Sequence, residues 1–223
     1  MTQEAPQAGA GQQGPDGDGA APPADVVEVA TPHGPARVHL RRAATPRAAL
    51  MLGHGAGGGV SAKDLVLAAD VAVAADLSVA LVEQPYRVAG RRAPAPARQL
   101  DAAWTAVAAH LREADLAGLP LVVGGRSSGA RVACRTAGAV GAVAVLCLAF
   151  PLRPPGKADR PSRLPELDGA GVPTLVVQGA RDPFGVPPRG PGREVVVVEG
   201  DHSLAKDHAA IRAALVRWLT EVV

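Results

Sequence analysis

Aromatic side chains are almost missing from this chain: two Trp, one Tyr and two Phe in 223 residues, 2% of the total. A buried core must therefore be built from Ala, Val and Leu, and with 48% hydrophobic residues there is enough of them for one α/β domain. Cysteine is nearly absent too. Cys134 and Cys147 lie inside apolar stretches without metal-type spacing, so they read as buried free thiols. Net charge is small, +2, and no long basic run occurs, which argues against nucleic acid as a partner. The densest basic patch, Arg87, Arg91, Arg92 and Arg98, reads as a solvated loop. No 18-residue apolar span and no signal-type leader is present, so a soluble, cytoplasmic chain with no membrane partner is expected.

Residues 1–24 lack Val, Leu, Ile and aromatics altogether. Without apolar surface to bury, they cannot offset the entropy of ordering, and the expectation is a disordered tail ahead of one domain over 25–223. From Asp25 onward the pattern changes. "VVEVAT" and "ARVHLRR" flank "PHGP", which predicts an N-terminal hairpin. Continuous apolar runs follow: "AALMLG", "SVALVEQ", "LPLVVGG", "AVAVLCLAF", "PTLVVQG" and "EVVVVEG". Helical patterns occupy 62–76, 97–114, 128–138 and 207–222 between and after them. Uninterrupted Val/Leu strands alternating with helices imply a mainly parallel sheet flanked by helices on both faces. The irregular stretch "PLRPPGKADRPSRLPEL" is too short for a large cap domain and reads as an excursion over the sheet's edge.

In open α/β sheets, chemistry gathers at the carboxyl ends of the strands. Four such ends here carry reactive or anion-stabilising groups. "GHGAGGG" (Gly53 to Gly59) follows one, and Gly125-Arg126-Ser127-Ser128-Gly129 follows another and fits G-x-S-x-G. Asp182 and His202 follow two more, in the chain order Ser, Asp, His. A serine hydroxyl needs an imidazole to take its proton, and an acid on the other ring nitrogen fixes the tautomer. This makes Ser127, His202 and Asp182 the candidate nucleophile, base and acid. The backbone N–H groups of Ser128 and Ala56 are the candidate oxyanion donors. Taken singly, Asp182 could be a helix cap and His202 a structural histidine; the joint placement favours a catalytic set. His54 is expected to shape the glycine loop, with His54 and Arg126 as tentative substrate contacts. His208 falls in the last helix, Asp201 adjoins His202 too closely to orient it, and His33, His39 and His110 are expected at the surface.

On the stretches "LGHGAGGG", "EQPYR" with "GRRAP", "VVGGRSSGARVA", "LAFPLRPPGK", "TLVVQGARDPFG" and "GDHS", the chain resembles the α/β-hydrolase superfamily. More closely it resembles the small lidless dienelactone-hydrolase-like branch that includes NSL-complex-subunit and testis-expressed hydrolase-like domains. The resemblance implies an α/β-hydrolase fold, Ser127, Asp182 and His202 as the triad, a small-molecule acyl substrate and no metal or organic cofactor. It also draws attention to Arg126 and Arg131 beside the serine. One departure is that the helix usual between the last two strands is reduced to "VPPRGPG". Two rival readings stay open: a catalytically silent interaction module on the same fold, and a dinucleotide-binding oxidoreductase. The second rests on "GHGAGG" as G-x-G-x-x-G with Glu83 as the ribose acid.

Overall fold

The structure, a computed structural model, describes residues 25–156 and 159–223. The tail expected over 1–24 lies outside the described residues. Strands β1 (Asp25–Val29) and β2 (Ala36–Arg41) form the expected hairpin, with Val27 opposite Val38. Its turn is closed by the Thr31 hydroxyl, which donates to the Gly34 carbonyl at 2.6 Å, and by Gly34 at φ 101°. Strands β3 (Ala48–Gly53), β4 (Leu77–Glu83), β5 (Leu121–Arg126), β6 (Ala144–Leu148), β7 (Thr174–Gly179) and β8 (Arg193–Val198) complete an eight-stranded sheet. The order is β1-β2-β4-β3-β5-β6-β7-β8; β2 runs antiparallel to β4, and every later pair is parallel.

Every residue of β3, β6 and β7 is buried, which is why these strands read as unbroken apolar runs. Side chains alternate between two cores. Ala49 and Met51 of β3 face one, where Trp104, Val132 and Phe150 lie. Leu50 and Leu52 face the other, with Leu65, Ile211 and Trp218. Helices α3 (Ala97–Glu113) and α4 (Ser128–Thr136) cover the first face. Helices α1 (Lys63–Ala74) and α6 (His208–Val222) cover the second. Each core thus receives one tryptophan amid Ala, Val and Leu, and each fully buried Leu or Val contributes about 1.5–3 kcal/mol. Cys134 and Cys147 are free and buried in the first core, their sulfurs 3.5 Å apart.

Two short helices, α2 (Pro85–Val88) and α5 (Leu164–Asp168), were not expected. Each spans barely one turn, too little for a 3.6-residue pattern to register, and each has a proline in its first two positions, Pro85 and Pro165, that presets helical φ. The stretch over 151–167 also departs from its expected course. The sheet's edges are β1 and β8, whereas this segment connects the inner strands β6 and β7. It returns beside the loop after β7, where Arg153 N donates to the Phe184 carbonyl at 2.9 Å, and ends in α5. No cap domain interrupts the described residues, and none of their helices is long and apolar enough to cross a membrane.

Candidate active site

Between β5 and α4 the chain reverses within one residue. Ser127 sits at φ 52°, ψ −108°, a conformation an L-residue holds at a cost of about 1–3 kcal/mol. The neighbouring main chain enforces it. Ser127 N donates to the Leu148 carbonyl of β6 at 2.9 Å, and the end of β3 passes so close that the flanking positions have no room for a side chain. A Cβ on Gly129 would lie 2.2 Å from the Gly53 carbonyl oxygen, and one on Gly125 2.4 Å from the same atom. The G-x-S-x-G spacing is therefore the steric signature of three strand ends converging on one turn.

Parallel strands β7 and β8 are neighbours, so the loops at their carboxyl ends lie side by side however short their connection is. This brings Asp182 and His202 together without the missing helix. His202 Nδ1 is 2.8 Å from Asp182 Oδ2, and His202 Nε2 is 2.9 Å from Ser127 Oγ. Both Asp182 oxygens already accept N–H bonds, Oδ1 from Phe184 N at 2.8 Å and Oδ2 from Gln178 Nε2 at 2.7 Å. Nδ1 is therefore the ring's donor, and Nε2 is left to accept the serine proton. The Asp182 side chain is fully buried, whereas that of His202 is 19% exposed. The Phe184 ring packs on the imidazole with centroids 4.3 Å apart. Beyond Phe184 an open groove of about 490 Å³ is lined by Leu152, Arg153, Pro154, Pro183 and Val186.

The glycine loop is held from beneath. His54 Nε2 accepts the backbone N–H of Gln84 at 3.1 Å, so the proton must reside on Nδ1, which donates to the Gly55 carbonyl at 2.8 Å. Because the peptide is trans, fixing the Gly55 carbonyl aims the Ala56 N–H the opposite way. The Tyr86 hydroxyl fixes the next peptide by donating to the Ala56 carbonyl at 3.0 Å. Neither Ala56 N–H nor Ser128 N–H, at the first position of α4, donates to an acceptor among the described residues. Burial pushes the His54 pKa below the usual histidine value and keeps the ring neutral.

His54 departs from the substrate contact expected of it: it is buried, with both ring nitrogens occupied by main chain. Arg126 departs from the same expectation. Its Nε donates to Asp64 Oδ2 at 2.7 Å, and a terminal nitrogen donates to the His202 carbonyl at 2.8 Å. Arg131 makes a two-pronged pair with Glu166 at 2.7 and 2.6 Å. Asp201 accepts from Ser203 N and Oγ at 2.9 and 2.6 Å and so closes its own turn, while His208 is an exposed first residue of α6. The dinucleotide reading does not fit either. The glycine loop does not open a helix, since α1 begins only at Lys63, and Glu83 points to Arg37 and His39 of β2, each 3.5 Å away. Among the described residues no cluster of His, Cys, Asp and Glu is suited to a metal ion.

Sequence reasoning missed Gln178, Tyr86, Phe184 and Asp64. Gln178 had a visible signal, as the amide side chain inside the otherwise mostly apolar run "TLVVQG". It is fully buried, and its amide N donates to Asp182, the Phe150 carbonyl and the Gly185 carbonyl at 2.7, 3.1 and 2.9 Å.

A family described as "Alpha/beta hydrolase domain" matches residues 46–211. No curated protein sequence matches the chain. Among solved structures, a serine hydrolase without lid from Xanthomonas campestris is 19% identical with TM-score 0.68, covering 89% of this chain and 94% of that one. Dienelactone hydrolase from Anabaena variabilis is 16% identical with TM-score 0.67, covering 91% and 97%. Est1E from Butyrivibrio proteoclasticus is 12% identical with TM-score 0.69, covering 88% and 98%.

Proposed function

Given that the chain belongs to the alpha/beta hydrolase domain family, we propose that it is a serine hydrolase cleaving an ester, thioester or related acyl bond through an acyl-enzyme. The observation that carries this reading is the His202 ring, which bridges Ser127 Oγ at 2.9 Å and Asp182 at 2.8 Å. Ser127 Oγ attacks the carbonyl carbon as its proton passes to His202 Nε2. Negative charge then forms on the carbonyl oxygen, where the N–H groups of Ala56 and Ser128 receive it. Collapse expels the leaving group, which takes the proton from Nε2. Water repeats the sequence on the acyl-enzyme: it gives its proton to Nε2, the acid departs and Ser127 recovers its hydrogen. Asp182 holds the Nδ1–H tautomer and stabilises the imidazolium of each half-reaction.

No metal or organic cofactor enters these steps. The open groove beside Phe184 suits a small or exposed substrate, with its apolar part against Leu152, Pro183 and Val186. The "GGRSSGAR" and "QGARDPFG" elements support placement near the dienelactone-hydrolase-like branch that includes the NSL-complex-subunit and testis-expressed domains. The test is turnover of p-nitrophenyl esters from acetate to laurate. Hydrolysis that falls by on the order of 10⁴ or more in Ser127→Ala supports the reading. A folded protein that turns over none of them leaves the silent interaction module in its place.

A further inference from the structure

The residue immediately before the nucleophile has a side chain that the hydrolytic steps above do not use. Arg126 ends β5, its side chain is 20% exposed, and its guanidinium bonds to two separate segments and lies beside a third. Nε meets Asp64 Oδ2 at 2.7 Å, in the first turn of α1, 62 residues away in sequence. One terminal nitrogen meets the carbonyl of His202 at 2.8 Å, 76 residues away. The other passes beneath the glycine loop, 3.2 Å from where a Cβ of Gly55 would stand. Asp64 is itself fixed: its side chain is 1% exposed, and Oδ1 accepts from Leu65 N at 3.0 Å. Burial pushes the Asp64 carboxyl upward, and the Arg126 guanidinium opposes that shift.

The geometry matters because a guanidinium is a rigid planar fork whose N–H directions are set together. With Nε anchored on a buried carboxylate, the neighbouring N–H points in one direction only, and there it finds the His202 main chain. Among the described residues the other ties of the His202 loop are local or reach the loop after β7: Leu204 N to the Asp201 carbonyl at 3.2 Å, Arg181 N to the Gly200 carbonyl at 2.8 Å, and His202 Nδ1 to Asp182 at 2.8 Å. Apart from the Ser127–His202 bond itself, Arg126 supplies the side-chain bond that joins this loop to the strand carrying the nucleophile.

We infer that the buried Asp64 and the partly exposed Arg126 form a clasp that sets the His202 imidazole against Ser127, making Arg126 a positioning residue for proton transfer. The inference rests on the serine-hydrolase reading. It assigns Arg126 no contact with substrate, although the residue adjoins the nucleophile.

Two variants test it. Arg126→Lys keeps a positive charge for Asp64 but loses the fork, and the double variant Asp64→Leu with Arg126→Met removes the clasp without leaving a buried charge unpaired. The measurements are kcat and KM on a neutral and an anionic short ester, and the low-field proton resonance of His202 Nδ1–H in the same samples. The clasp predicts that both folded variants lose about 10- to 100-fold in kcat on both esters while KM moves less than about twofold, as expected when a reacting group is misplaced. It also predicts that the His202 resonance shifts or broadens. A KM rise confined to the anionic ester would overturn it in favour of a substrate contact. Unchanged kcat and resonance, with only a lowered melting temperature, would reduce the pair to scaffold. A wild-type protein inert on every ester fails the hydrolase reading instead, and the His202 resonance still decides whether the clasp orients the ring.

Discussion

The serine end and the acid–base end of the same hydrogen-bonded line are held by different parts of the polypeptide. Ser127 is positioned by main chain alone: the Leu148 carbonyl, the Gly53 carbonyl and the first turn of α4 dictate its backbone. Asp182 and His202 are positioned mostly by side chains, namely Gln178, Phe184 and Arg126, with one main-chain bond from Phe184 N to Asp182. A main-chain cradle leaves no spare volume, so any added atom disturbs the fold. A side-chain cradle can be cut one bond at a time, so its loss registers in catalysis before it registers in stability.

The largest expected effect lies on the serine side. Gly129→Ala places a methyl group 2.2 Å from a backbone oxygen that cannot withdraw without moving β3. The expected cost is about 4–5 kcal/mol, or a melting temperature lowered by roughly 10 °C or more. Differential scanning calorimetry checks this, and a drop of under about 2 °C would erase the contrast between the two ends.

Gln178→Leu probes the other end. The buried Oε1 of Gln178 has no partner, so an apolar replacement of similar size relieves one unsatisfied group, but it removes the donor to Asp182 and to the Phe150 and Gly185 carbonyls. Stability should fall by about 1–3 kcal/mol, less than in Gly129→Ala, while kcat falls about 10- to 100-fold. A stability loss as large as that of Gly129→Ala would mean that the acid is held no differently from the serine.

A smaller effect belongs to the loop between the two ends. The folded-state pKa of His54 is lowered by burial, so below about pH 6.5 the unfolded chain takes up a proton that the native ring refuses. Unfolding then binds more protons than the native state does. Stability contributed by neutral His54 is intact above that pH and is lost as pH falls toward the lowered value, by at most about 1.4 kcal/mol per pH unit. Melting curves of wild type and His54→Gln between pH 7 and pH 5 should converge on acidification. Parallel curves would remove His54 from the account of the loop.

The same division governs what could be read in advance. The strands and the Ser127 elbow were legible because burial on both faces demands unbroken Val/Leu runs, and close main-chain approach demands glycine at fixed spacing. The order Ser127, Asp182, His202 pointed to three strand ends whose side chains lie within hydrogen-bond reach of one another. Gln178 left a fainter trace, an amide in a strand that is apolar from Leu175 to Val177. The Asp64–Arg126 contact left none, since residues 62 apart that meet through one ion pair have no local pattern. For the same reason Arg126 and His54, conspicuous beside the nucleophile and the glycines, were expected at the substrate, although their partners in the fold occupy them. Helices α2 and α5 escaped notice because one turn carries no periodicity.

The central claim, that Ser127 is a nucleophile activated by His202, is tested most directly by treating the folded protein with a fluorophosphonate and locating the adduct by mass spectrometry. Phosphonylation draws on the same hydroxyl, base and oxyanion donors as acylation. The account predicts one adduct, on Ser127, absent in Ser127→Ala, formed about 10³–10⁴ times more slowly in His202→Ala, and nearly unaffected in Ser128→Ala, where only a backbone N–H is needed. A folded protein that resists the probe, or an adduct on Ser128, would contradict it.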